Sequence, residues 1–320
     1  MLKTFEQAVA LIGERKLLHI SGTEALLRKL PKGNWIGGST EYFMEENGGQ
    51  VSGETLDIQE LAFDTYKLSA YGPATLAAVT KDAYPNGFSI IILPFDSEVH
   101  KQYAQNAADY EDIFLKNMVG WISGLNLGAA DQTPVAVNGS TGEVFADKAV
   151  VLHIGLPEEK TVQINIVNIF TPDAKSPVIT FGEDGFKAKT CFVDGKEVVF
   201  AEYIAGNQLD TKLPLIGDYS GAGINISIKS IEDGIVHFYA PVFAGIQYRF
   251  AENIPDYADA FNQKIKEIEN TDAEFACNCI LNFLYGGLEG KKIGGFYGPV
   301  TFGEIAWQLL NQTLVYLQIV

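Results

Sequence analysis

Glu304 stands in the string Thr301-Phe-Gly-Glu-Ile305, with Gly294, Gly295, Gly298 and Gly303 just ahead of it. Glycines let a backbone approach a ligand closely, and a carboxylate among them can accept hydrogen bonds from an ammonium group. The structural alternative is that Glu304 begins a helix over 305–310 and stabilises its N-terminus. A second polar step lies at Gly38, Ser39, Thr40 and Glu41, after the apolar run Trp35-Ile36. Backbone amides and hydroxyls at a strand end can line a pocket, and a plain strand-exit turn would select the same residues. A near copy, Asn138-Gly-Ser-Thr-Gly-Glu143, adds Ser140 and Thr141 to the candidates.

A serine nucleophile needs a neighbouring base, and none of His19, His100, His153 and His237 lies in a nucleophile motif. The glycine-rich steps lack the lysine of a phosphate-binding loop and the spacing of a dinucleotide fingerprint. Cys277 and Cys279 are two residues apart, so a strand points both to one face. No second cysteine pair or nearby histidine completes a zinc site, and no cation nearby in sequence lowers a thiol pKa. Neither a metal nor a cofactor is expected.

The elements that position these groups read as follows. Thr4 with Gln7 forms a capping box ahead of Phe5, Ala8, Val9 and Ile12 on one helix face. Ser21 with Glu24 repeats the start signal, and Pro31 ends the second helix before a strand at 34–39. A hairpin is expected over 55–63 and 65–71, and Ser89–Leu93 reads as a strand buried on both faces. Val99, Tyr103, Ala107, Tyr110, Phe114 and Met118, running on to Trp121, predict one long helix. Asp194-Gly195 and Glu232-Asp-Gly234 are hairpin turns, because both central residues take positive φ. A short helix follows at 201–206, and Pro255 opens another with Asp256 and Asp259 at its start and Lys264 and Lys266 near its end. Hairpins outnumber strand–helix–strand units, so the class is α+β: mixed, mostly antiparallel sheets covered by a few helices. The polar stretch 207–214 places a boundary between two sequential lobes, 1–208 and 209–320. The paired Gly-Ser-Thr strings suggest an internal repeat of two half-domains.

Bulk properties narrow the function. With 47% hydrophobic and 20% charged residues, the 320-residue chain is an ordinary globular protein. It carries 23 basic against 40 acidic residues, net −17, and Arg15, Arg28 and Arg249 are its arginines. That field repels nucleic acid and anionic membrane surfaces. Charges at Lys3, Glu6, Glu14 and Arg15 interrupt any signal-peptide core, and the run 88–95 is too short to span a bilayer. A cytoplasmic protein without nucleic-acid or membrane partners is expected.

The end of the chain also carries a resemblance. Glu274-Phe-Ala-Cys-Asn-Cys-Ile280, Gly294-Gly-Phe-Tyr-Gly298, Thr301-Phe-Gly-Glu-Ile305 and Leu310-Asn-Gln-Thr-Leu-Val315 follow in close order. That order resembles the C-terminal part of FIST (F-box and intracellular signal transduction) sensory domains. There a Ser-Cys strand precedes Gly-Phe-Phe-Thr-Tyr-Gly-Glu-Ile and an Asn-Gln-Thr strand. Trp35-Ile-Gly-Gly-Ser-Thr-Glu41 is similar to the family's Gly-Cys-Ser-Thr element, with Gly38 where cysteine is usual. Two features depart from the pattern: Phe296-Tyr-Gly-Pro-Val300 is a longer link, and Asn282-Phe-Leu284 stands where relatives have an arginine. The resemblance implies an N-terminal and a C-terminal FIST-like part and a sensor of a small polar metabolite, such as an amino acid, acting through a signalling partner. Gly38 through Glu41, Ser140, Thr141, Tyr297 and Glu304 would bind the ligand. The alternative is an enzyme, for example a hydrolase with Glu304 or Glu41 as general base.

Overall fold

The computed structural model describes residues 1–128, 132–268 and 272–320. They form the expected α+β fold, with mixed and antiparallel sheets. Its organising feature is a unit that occurs three times. Each unit runs edge strand, helix, inner strand, helix, second inner strand parallel to the first, hairpin, and a last strand returning antiparallel beside the first. The first unit has inner strands Leu17–Gly22 and Trp35–Ser39, hairpin Tyr42–Glu45 and Gly48–Val51, and last strand Leu56–Leu61. In the second they are Gly87–Pro94 and Asn117–Ser123, Ala136–Asn138 and Glu143–Phe145, and Ala149–Gly155. In the third they are Phe275–Cys279 and Gly298–Thr301, Glu304–Ala306 and Gln308–Leu310, and Leu314–Ile319.

Each hairpin leaves its own sheet. The first pairs with Gly298–Thr301, the second with Trp35–Ser39 and the third with Asn117–Ser123, which ties three six-stranded sheets into a cycle. Their inner faces share one apolar core, to which Ile36, Ile90, Trp121, Phe275 and Val315 contribute. Helices cover the outside. On the first sheet Ala8, Ile12 and Leu27 pack against Leu18, Ile20 and Trp35. Burial of such side chains contributes roughly 1.5–3 kcal/mol each and outweighs the weak propensity of helices as short as Glu24–Leu27.

Between the edge strand Val162–Val167 and the helix Tyr257–Lys266 of the third unit, the chain makes a six-stranded and a three-stranded sheet with the helix Phe200–Gly206. The 208/209 junction lies here, and Lys196–Val199 and Leu215–Tyr219 on its two sides belong to one sheet. This insertion is anchored on the core: Asn225 Nδ2 donates to Asn311 O at 3.1 Å and Ser227 Oγ to Gln312 Oε1 at 2.7 Å. No helix among the described residues is long and apolar enough to cross a membrane.

Local signals read well. Thr4 and Gln7 make both bonds of the capping box, and Asp194-Gly195 and Asp233-Gly234 turn their hairpins at positive φ. Several longer-range expectations are corrected. The long helix ends after Glu98–Asn106; two 3-10 turns follow, with Asp112 left-handed at φ 60°, and residues 117–123 are a strand. Apolar spacing cannot separate a buried strand from a helix face, and Phe114, placed on the stripe, is 59% exposed. Strands Leu56–Leu61 and Tyr66–Tyr71 exist, but they pair with Leu17–Gly22 and Ala149–Gly155 and not with each other. Ser21 is a strand residue, and Thr23 caps the second helix. The Gly-Ser-Thr strings do not mark equivalent positions of a repeat, because Gly37 and Gly38 lie opposite Val137 and Ala136 on paired strands.

Candidate functional site

The strand Gly87–Pro94 ends at Phe95 and Asp96, the latter left-handed at φ 59°. Ser97 then caps the helix Glu98–Asn106 by accepting from the His100 amide at 3.2 Å. This turn sends the His100 ring back toward the strand end, where Nδ1 accepts from the Asp96 amide at 3.2 Å. The insertion's three-stranded sheet lies opposite, with Ile235–Val242 in the middle, Gly185–Ala188 on one edge and Ile228–Glu232 on the other. Ring centroids are 5.8 Å apart for His100 and Phe186, and 6.1 Å for Phe95 and Tyr239. Between core and insertion lies a cleft of about 450 Å³ lined by these four rings. That volume suits a small organic ligand.

The charges around it are arranged in two groups. Lys101 Nζ lies 2.9 Å from Asp96 Oδ1, and Lys229 Nζ lies 3.9 Å from Oδ2 and 5.0 Å from the Phe95 ring centroid. Burial works against ionisation of Asp96, but the hydrogen bond from Lys101 and the two lysine charges outweigh it and hold the carboxyl below its ordinary range. Glu183, Asp184 and Lys187 line the other side. Burial pushes the His100 pKa down to about 3, so the ring is neutral at physiological pH. Since Nδ1 accepts a hydrogen bond, the proton sits on Nε2. That Nε2 is buried with no partner among the described residues. An orphaned buried donor costs about 1–3 kcal/mol, which an acceptor supplied by a ligand would recover.

The residues singled out from the sequence lie elsewhere. Glu304 is fully buried on the first strand of the third hairpin, so the expected helix over 305–310 is replaced by two strands that turn at Trp307, φ 61°. Its Oε2 accepts from Thr313 Oγ1 at 2.8 Å and from the Thr313 amide at 3.3 Å, and Oε1 lies 3.1 Å from Thr301 Oγ1. Burial pushes its pKa up to about 8 despite these bonds and one from Cys279. Thr40 Oγ1 donates to Val300 O at 2.7 Å, so Thr40 and Glu304 bond to adjacent residues of one strand. Ser39 Oγ accepts from the Val135 amide at 2.9 Å, and Glu41 Oε2 from Asn126 Nδ2 at 2.8 Å. At Gly38 a Cβ would sit 2.7 Å from both Ile92 and Trp121, so this glycine serves packing. Ser140 and Thr141 are exposed in the turn held by Asn138, and Tyr297 lines a separate cleft of about 410 Å³ beside Asp57 and Gln59.

Phe95, His100 and Lys229 escaped the sequence reading. A partial signal existed: Pro94-Phe-Asp-Ser97 is a strand-to-helix turn, a frequent place for sites, but nothing local pairs it with residues 183–239.

Comparison with curated proteins and with solved structures gives no match. One family model does match, over residues 3–320, and it takes in both segments on which the likeness to FIST domains rested. It is not a FIST model, so the chain is not a FIST domain, and the sensory and signalling roles that the likeness implied have no support. A few short glycine-rich strings at strand ends recur for reasons of backbone geometry and do not carry kinship on their own. By its match over nearly the whole length, the chain belongs to DUF6976, a family of unknown function.

Proposed function

We propose that this chain binds a small organic molecule in the cleft between its core and its insertion. The observation that carries the reading is His100, a lining residue of the aromatic cleft whose Nε2 is buried without a partner among the described residues. Natural proteins rarely leave such a donor unpaired, and a ligand acceptor is the simplest complement. Hydrolysis with Glu304 as general base has less support, because Thr301 and Thr313 enclose that carboxyl. Three free buried cysteines fit a reducing compartment, and we assign the protein to the cytoplasm on that support.

A thermal-shift screen of small metabolites tests the reading. A ligand at a hundredfold excess over Kd stabilises the folded state by about 2.7 kcal/mol. Ligands that shift the wild-type chain should fail to shift His100→Phe, which keeps a ring and removes the donor. Equal shifts of both proteins, or no shift across the screen, would refute the assignment.

A further inference from the structure

We infer that the ligand of this cleft is a small organic monoanion: a carboxylate held by Lys229 and His100 Nε2, on a flat apolar body lying against Phe95, Phe186 and Tyr239. This deepens the binding proposal above and rests on it. Lys101 makes the short contact to Asp96, whereas the Lys229 ammonium stays at 3.9 Å, beyond hydrogen-bond length, over the Phe95 ring. An ammonium has three donors, so Lys229 keeps donors free beside the cleft. His100 Nε2–H adds one more, neutral and fixed in orientation by the Asp96 amide on Nδ1. A carboxylate has two acceptor oxygens in one plane, enough for both donors at once.

The charge layout sets the number of negative charges. Around Asp96, two lysines face one carboxylate, which leaves a surplus of one positive charge. Near Gly185–Ala188, on the opposite edge of the three-stranded sheet, the lining holds two carboxylates, Glu183 and Asp184, and one ammonium, Lys187, with Asp184 Oδ1 accepting from the Ala244 amide at 2.7 Å, which leaves a surplus of one negative charge. A monoanion meets the first group, while a second negative charge would sit against the other. No arginine lines the cleft to grip a phosphate by two parallel bonds. Phe95 on the core side and Phe186 and Tyr239 on the sheet opposite line the cleft with aromatic rings, which favours a planar apolar body.

Isothermal calorimetry on the full chain at neutral pH decides the matter, using benzoate, phenylacetate and phenylpropionate, each with its neutral amide and its amine. At least one carboxylate should bind about tenfold or more tightly than its amide and amine. Lys229→Met and His100→Phe should each weaken it by about tenfold. Lys229 is exposed, so its variant should keep the wild-type urea midpoint and report binding alone. The inference is overturned if an amide or amine binds as well, if both variants bind the carboxylate normally, or if no carboxylate binds. In that last case a hit from the metabolite screen that needs His100 would leave the binding proposal standing. Absence of any such hit would sink both.

Discussion

Replacing Glu304 with glutamine should make the protein more stable, by an amount that grows with pH. The Thr301 hydroxyl has one hydrogen, yet three acceptors lie near it: Asn278 O and Gly303 O at 3.2 Å and Glu304 Oε1 at 3.1 Å. A protonated Glu304 resolves the conflict by donating from Oε1 to Thr301 while Oε2 accepts from Thr313. Full burial keeps it protonated and pushes its pKa from 4.5 to about 8. The sign follows from linkage. Below about pH 4.5 the carboxyl is neutral in both folded and unfolded chains, and its stabilising contribution is complete. Above that the unfolded chain ionises and the folded one does not, so stability falls until the pH passes about 8. Each pH unit is worth about 1.4 kcal/mol, which gives roughly 5 kcal/mol over the whole window. Glutamine cannot ionise; its amide donates to Thr301 and its carbonyl accepts from Thr313. Urea unfolding of both proteins from pH 5 to pH 9 should therefore give curves that diverge with pH and then run parallel. A stability difference independent of pH would show that Glu304 is ionised in the folded protein and that the proposed hydrogen-bond pattern is wrong.

Other consequences follow from the same geometry. At Gly120 a Cβ would lie 1.9 Å from the Ile91 carbonyl oxygen across the paired parallel strands. Gly120→Ala should therefore lower stability by about 3 kcal/mol, read from the urea midpoint, and a change under 1 kcal/mol would contradict that register. Ser97→Ala removes the cap of the helix that carries His100 and should cost about 1 kcal/mol in the same assay. It should also weaken any cleft ligand, since it loosens the turn that fixes the His100 ring.

What could be read from the sequence is what neighbours in the chain decide. Thr4 with Gln7, Asp194-Gly195 and Asp233-Gly234 each fix their structure within a few residues, so their elements are as expected. The threefold unit was hidden because its strands share burial and pairing, not residues: Leu17–Gly22, Gly87–Pro94 and Phe275–Cys279 have little in common but position. Hairpin exchange adds a partner more than 200 residues away for Met44, opposite Gly298, which no local pattern signals. Residues 117–123 were misread because their buried side chains alternate between two cores: Met118 packs outward, Val119 and Trp121 inward. Glu304, singled out as a ligand-binding carboxylate or a helix start, is a buried strand residue whose carboxyl bonds Thr301 and Thr313. The cleft was out of reach, since its walls come from segments near residues 95–101, 183–187 and 229–239.

Nitrogen-detected NMR of the imidazole rings tests the central claim most directly. His100 should stay neutral from pH 5 to pH 8, carry its proton on Nε2, and show a large shift of that proton when a cleft ligand binds. A charged ring, a proton on Nδ1, or an Nε2 proton that ignores every ligand bound by the chain would contradict it.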